Sequence, residues 1–193
     1  SAASDVYKRQ MQFLNTIQAM QVLGANVVTE ARRNLKKLKK ETRDNTLYND
    51  MNYVVTSDNT NVELEWRFGG ASDYWDFVNE GVKGSGGFKG SGKMRGQGSP
   101  YSFKKKNIAK GVVLKWIANK PLKLRNAKGQ FKEKTQANLK SAAFLIGRAI
   151  AQRGLSRTLF FDNAYNKEIV KSEDKITEAF AEDLELQIET LIK

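Results

Sequence analysis

Histidine and cysteine are both absent from this chain, and proline occurs only twice. Without cysteine there is no disulfide framework and no thiolate chemistry. Without histidine as well, the usual ligands for zinc, copper and haem are missing, together with the side chain most often used as a general base near neutral pH. Only carboxylates, lysine, tyrosine and serine are left for acid–base or covalent chemistry, so the expectation is a protein that is not an enzyme and carries no cofactor or metal. No apolar run approaches the roughly 18 residues of a membrane-spanning helix, and the first residues lack the apolar core of a secretory signal. A soluble protein of a reducing cytoplasm, with no membrane partner, is expected.

Acidic residues are also missing locally. Between Glu80 and Glu133 there is none, while Lys83, Lys89, Lys93, Arg95, Lys104, Lys105, Lys106, Lys110, Lys115, Lys120, Lys123, Arg125, Lys128 and Lys132 fall in the same stretch. That segment alone carries more positive charge than the whole chain, whose formal net charge is +12. The balancing acids gather near the C-terminus at Glu173, Asp174, Glu178, Glu182, Asp183, Glu185 and Glu189. A chain with one basic and one acidic region can pair with copies of itself, and excess lysine also favours nucleic acid or other anionic surfaces.

What is present suffices for one core. At 193 residues, 40% of them hydrophobic, the chain is expected to form a single structural domain over residues 11–193. The opening SAASDVYKRQ stands apart. DVYKRQ resembles the translation of a transposon-end adapter used in sequencing libraries, so residues 1–10 are read as an appended or disordered leader and carry no functional argument.

Periodicity predicts an α+β fold with a long N-terminal helix, a small antiparallel sheet, a long basic glycine-rich arm and C-terminal amphipathic helices. Phe13, Ile17, Met20, Val27, Ala31, Leu35 and Leu38 recur at helical spacing, and Arg32, Arg33, Lys36, Lys37, Lys39 and Lys40 complement the dipole at that helix's end. Val62, Leu64, Trp66 and Phe68 alternate with Asn61, Glu63, Glu65 and Arg67, which, with MNYVV across the turn SDNTN, reads as a hairpin. SDYWDFVNEG then forms a short helix or turn that lays Tyr74, Trp75, Phe77 and Val78 on that sheet.

Farther on, a helix from residue 107 is expected with Ile108, Val112, Trp116 and Ile117 inward, ended by NKP because a residue before proline avoids helical backbone. LKLRNAKGQFKEK reads as a ribbon around NAKG. Leu139, Ala142, Ala143, Ile146, Ala149 and Ile150 mark a buried helix capped by Gly154. A final helix over EDKITEAFAEDLELQIETLIK carries Ile176, Phe180, Leu184, Ile188 and Leu191 on one stripe.

Residues 82–100 are expected to be a flexible arm whose glycines keep the backbone mobile and whose cations meet DNA phosphates or an acidic neighbour. The contact residues are Lys83, Lys89, Lys93, Arg95, Lys104, Lys105 and Lys106. Gly87 to Lys93 match the spacing G-x-x-x-x-G-K, but Met94 stands where Ser or Thr would reach magnesium, and RGQGSP cannot begin a helix. No nucleotide-binding loop is expected. Asp73, Asp76 and Glu80 are read as helix-start acids rather than as a metal site.

The order of long helix, NTLYNDM, hairpin, YWDFVNEG, basic glycine loop and SPYSF resembles the tail-completion and head–tail joining (neck) proteins of tailed bacteriophages, related to the lambdoid tail-completion family. Their step Tyr-Ala-x-Phe-Val-Glu-x-Gly-Thr maps onto Tyr74, Phe77, Val78 and Gly81, with Asn79 in place of the acid and Val82 in place of threonine. Their step Thr-Gly-x-Leu-x-x-Ser-hydrophobic is matched at Leu47 and Met51, with Asn45 at the glycine position. SRTLFFDNAYNKEIV resembles the short segment before the family's last helix. The resemblance implies a virion structural protein that forms a ring of copies and joins a portal, connector or tail-tube protein, assembled in the host cytoplasm, with packaged DNA passing by. A ring needs two different patches that meet between copies, and Glu182, Asp183 and Glu185 against the basic segment are the pair expected. The alternative is a basic nucleic-acid-binding protein in which FKKKNIAKGVVLKW supplies stacking aromatics and phosphate contacts.

Overall fold

The computed structural model describes residues 13–38, 46–58, 60–90, 92–118, 123–126 and 128–192. The leader 1–10, Lys39, Lys40, Asn45, Lys120, the helix stop at 119–121 and the side chain of Leu191 lie outside the described residues. The fold is α+β, as periodicity predicts. Length alone predicts one domain, but the chain divides into two compact units, one of Ser1–Trp75 with Leu159–Lys193 and one of Asp76–Thr158.

The first unit is built on two helices, α1 (Leu14–Lys37) and the C-terminal α6 (Phe160–Ile192). They run antiparallel, since Asn34 Nδ2 donates to Phe160 O near one end and Phe13 stacks on Phe180 near the other. Leu23, Val27, Val28, Ala31 and Leu35 form the buried stripe of α1, whereas Leu38 is exposed. The hairpin of β1 (Asn52–Ser57) and β2 (Val62–Arg67) pairs Val55 with Leu64 and Tyr53 with Trp66. Its turn is closed by Asp58, whose carboxylate accepts the amides of Thr60 and Asn61 at 2.7 and 2.8 Å and is held below its ordinary range chiefly by those bonds. Gly24 lets the Tyr53 ring cross α1, because a Cβ there would lie 2.4 Å from the ring.

A short helix, α2 (Thr46–Asn49), buries Leu47. The Arg32 guanidinium ties it down by donating to Tyr48 O, Asn49 O and Met51 O, so this cation of the basic end is structural. Phe68, Trp75 and Phe161 close the unit as an aromatic cluster, with Phe68 and Trp75 stacked at 4.1 Å and Trp66 meeting Phe161 edge-on at 5.3 Å.

Helix α6 begins at Phe160, well before Glu173, where the stretch read from the sequence starts. Phe160, Ala164, Glu168 and Ser172 bury at four-residue intervals, but two of the four are polar, which hides the stripe from a hydrophobicity count. Glu168 is neutralised by Lys171 at 2.7 Å. SRTLFFDNAYNKEIV is therefore largely the first third of the last helix, not a segment before it.

In the second unit, α3 (Trp75–Glu80) leads into β3 (Val82–Lys83), which pairs antiparallel with β4 (Gly154–Leu155). The division between units falls within α3. Helix α4 (Lys110–Ala118) packs Val113 and Ile117 on Ala143 of α5 (Gln136–Arg153). Thr135 caps α5 by accepting from Asn138 N–H, and Gly154 ends it at φ +90°. The face expected of α4 is turned: Val112 and Trp116 are 63% and 47% exposed, while Val113 and Ile117 fill the core. Around NAKG the ribbon is short, with Arg125 bridged to Phe131 and Asn126 accepting the amides of Lys128 and Gln130.

Candidate functional site

The glycine-rich segment is not an extended arm with free ends. Val82 and Lys83 are paired in β3, Lys83 N–H donates to Tyr101 O at 2.8 Å, and Phe103 N–H returns to Lys83 O at 2.9 Å. Deeper in the loop, Ser85 N–H reaches Ala151 O at 2.9 Å and Arg95 N–H reaches Arg153 O at 2.8 Å. Arg153 Nε in turn donates to Lys93 O. Both limbs of residues 82–100 are thus stitched to the end of α5.

Glycine is needed at these crossings for space. A Cβ at Gly84 would meet Gln152 O at 2.1 Å, at Gly96 Val82 O at 2.3 Å, and at Gly154 Val82 O at 2.5 Å. A Cβ on Gly86 or Gly87, by contrast, would touch nothing. Ser99 locks the base of the loop: it is 1% exposed, donates to Gly81 O at 2.8 Å and accepts from Tyr101 N–H. The backbone after Lys93 continues along Arg153, and the next helix begins only at Lys110, so no helix N-terminus stands behind the near-match to a phosphate loop.

The loop presents its charge outward. Lys83, Lys89, Lys93, Arg95, Lys104, Lys105 and Lys106 are all exposed, and among the described residues none forms an ion pair. In the whole second unit the one ion pair among the described residues joins Arg157 to Glu80. Aromatics share the unit's surface, with the exposed Phe131 lying 4.4 Å from the Arg125 guanidinium and the half-buried Phe88 5.6 Å from that of Arg153.

The Tyr74 to Gly81 step is divided in its tasks. Tyr74 Oη shares a 2.6 Å hydrogen bond with Thr46 in the first unit. Phe77, expected to be laid on the hairpin, belongs to the second unit, where its ring meets Tyr101 at 4.5 Å. Val78 O accepts from Thr158 Oγ1 at 2.6 Å, and Gly81 turns at φ +67° where a Cβ would strike Leu155 O at 2.6 Å. Asp76 accepts from Tyr101 Oη, whose pKa is raised first by burial and then by that carboxylate. Asp76 and Glu80 are therefore committed to Tyr101 and Arg157.

The acidic trio on α6 separates. Glu182 and Glu185 are exposed, but Asp183 is 2% exposed and accepts from Asn15 N–H at 3.1 Å, Thr16 N–H at 2.8 Å and Thr16 Oγ1 at 2.7 Å. It caps the N-terminus of α1, where Phe13 offers no side-chain cap. Asp183 is thereby removed from any surface between copies. Trp116 is a surface residue that sequence reasoning placed in the core; its spacing four residues from Val112 reads as one inward stripe, but Val113 and Ile117 share that spacing, so the sequence held no signal that separates them. Comparisons with protein-family models, curated proteins and solved structures found no match.

Proposed function

We propose that this chain is a structural protein of the tailed-phage neck or tail end, a tail-completion or head–tail joining protein that acts as a ring of copies. The observation that carries the reading is the Tyr74 to Gly81 step. It follows the aromatic hairpin, turns at a glycine that backbone crowding requires, and delivers the chain into a stitched, outward-facing cationic loop. The work assigned to it is joining: contacts with copies of itself and with a portal, connector or tail-tube protein, beside packaged DNA, and no catalysis.

A second reading, a basic nucleic-acid-binding protein, is favoured by one observation, the exposure of Trp116 on lysine-rich α4. Native mass of the full chain at about 50 and 300 mM salt, with and without a short random duplex, separates the two. A closed oligomer of about six or more copies that ignores duplex supports the neck reading. A monomer that takes up duplex and loses it steeply with salt refutes it in favour of the second.

A further inference from the structure

We infer that copies of this chain join head to tail through the terminal turns of α6 in one copy and the outer flank of α4 in the next. The inference rests on the ring reading and names its interface. Val112 and Trp116 lie one turn apart on α4 and are 63% and 47% exposed, while Val113 and Ile117 on the other side hold the core. Lys115 lies beside them on that flank, while Lys110, at the start of the helix, is turned toward α5 with its ammonium 5.4 Å from the Phe144 ring; the whole stretch of sequence is without a single acid. Whatever covers this flank must be apolar and negatively charged.

The last turns of α6 have that chemistry. The helix runs on from Asp183, the residue that caps α1, to Ile192, about 13 Å at 1.5 Å per residue. Leu186, Ile188 and Ile192 are 58%, 56% and 80% exposed there. Glu178, Glu182, Glu185 and Glu189 follow the 4-3-4 spacing of a single helix face opposite Asp183, and among the described residues none is in an ion pair. Leu186 and Ile192 flank that acidic stripe on its two sides.

A nucleic acid would meet the lysines of α4 but leaves the acidic stripe of α6 and Leu186, Ile188 and Ile192 without a partner. A second copy satisfies both faces at once, apolar on apolar and acidic on basic. The two patches differ, so each copy offers one to either neighbour and the chain of contacts closes into a ring or continues as a filament.

Two variants and one crosslink test it. Glu182→Lys/Glu185→Lys/Glu189→Lys changes exposed side chains only, Lys110→Glu/Lys115→Glu also removes the Lys110 contact with the Phe144 ring, and circular dichroism checks that both stay folded. Each alone is expected to sediment as a monomer under conditions where the wild type is oligomeric, a loss of at least about tenfold in self-affinity. Mixed in equal amounts they are expected to reassemble, because every reversed tail meets a reversed flank. Because the chain has no cysteine, Trp116→Cys in one preparation and Ile188→Cys in another are expected to form a disulfide-linked pair on mixing and oxidation. Oligomers that survive both reversals and give no crosslink overturn this interface and leave the ring reading standing. A wild type that stays monomeric at about 100 μM, with or without duplex bound through Lys110 and Lys115, overturns the interface and the ring together.

Discussion

Replacing Asp183 with alanine tests the claim that a residue near the far end of the chain starts the first helix. The carboxylate accepts two backbone amides and one hydroxyl at 2.7–3.1 Å, in a site where Asp183 is 2% exposed and Thr16 is 4% exposed. Losing an N-cap costs about 0.5–2 kcal/mol, and leaving a buried donor without a partner costs about 1–3 kcal/mol. These overlap, and the charge at the positive end of the helix dipole adds to them, so about 2–4 kcal/mol is expected for Asp183→Ala. In a chain of this size that lowers the melting midpoint by roughly 5–15 °C. Thr16→Val removes one of the three donors and should cost about 1 kcal/mol. Because the two residues share a hydrogen bond, the double variant should cost less than the sum. Urea unfolding of the four proteins, with Glu182→Ala as an exposed control, measures all of this. If Asp183→Ala unfolds with the same midpoint as Glu182→Ala, the capping argument is wrong.

Other consequences follow from the same geometry. Gly154→Ala places a Cβ against Val82 O, Gly84 N and Arg95 O at φ +90°, and should destabilise the second unit by about 3 kcal/mol; proteolysis between residues 82 and 100 should rise with it, and unchanged resistance would contradict the stitched loop. Ile117→Ala should cost about 2–5 kcal/mol while Val112→Ala stays within about 1 kcal/mol, so equal losses in thermal unfolding would restore the face read from the sequence. Glu30 is held below its ordinary 4.5 chiefly by the hydrogen bond from Lys167, which outweighs burial, with Arg33 assisting. A lowered folded pKa contributes stability above about pH 4.5 that fades as pH falls through the folded value, so the advantage of wild type over Glu30→Gln should shrink on titration from pH 7 to 3. A gap that stays constant over that range would refute it.

Some features are legible because their cause is local. Alternation over residues 61–68 needs only the two-residue period of a strand, and the hairpin register follows from its turn. The cap of α5 by Thr135 and its end at Gly154 are likewise local choices of backbone. Helix α4 shows where this stops. Val112, Val113, Leu114, Trp116 and Ile117 crowd a nine-residue helix, so two stripes four residues apart are equally available, and the position of Ala143 on α5 selects Val113 and Ile117. The loop glycines are a second case. Their abundance reads as freedom of the backbone, yet Gly84 and Gly96 are there because other backbone passes within van der Waals distance.

The sequence by itself determined the element types, the segregation of charge into a basic centre and an acidic end, and the absence of the side chains used most often in catalysis and metal binding. Those properties depend on neighbours a few positions apart or on composition. Only the tertiary structure decided that Asp183 serves Thr16 from 167 positions away, that both limbs of the glycine loop are held by α5, and that Trp116 faces outward. Each depends on which distant backbone arrives beside a residue, and one-dimensional spacing holds no record of that.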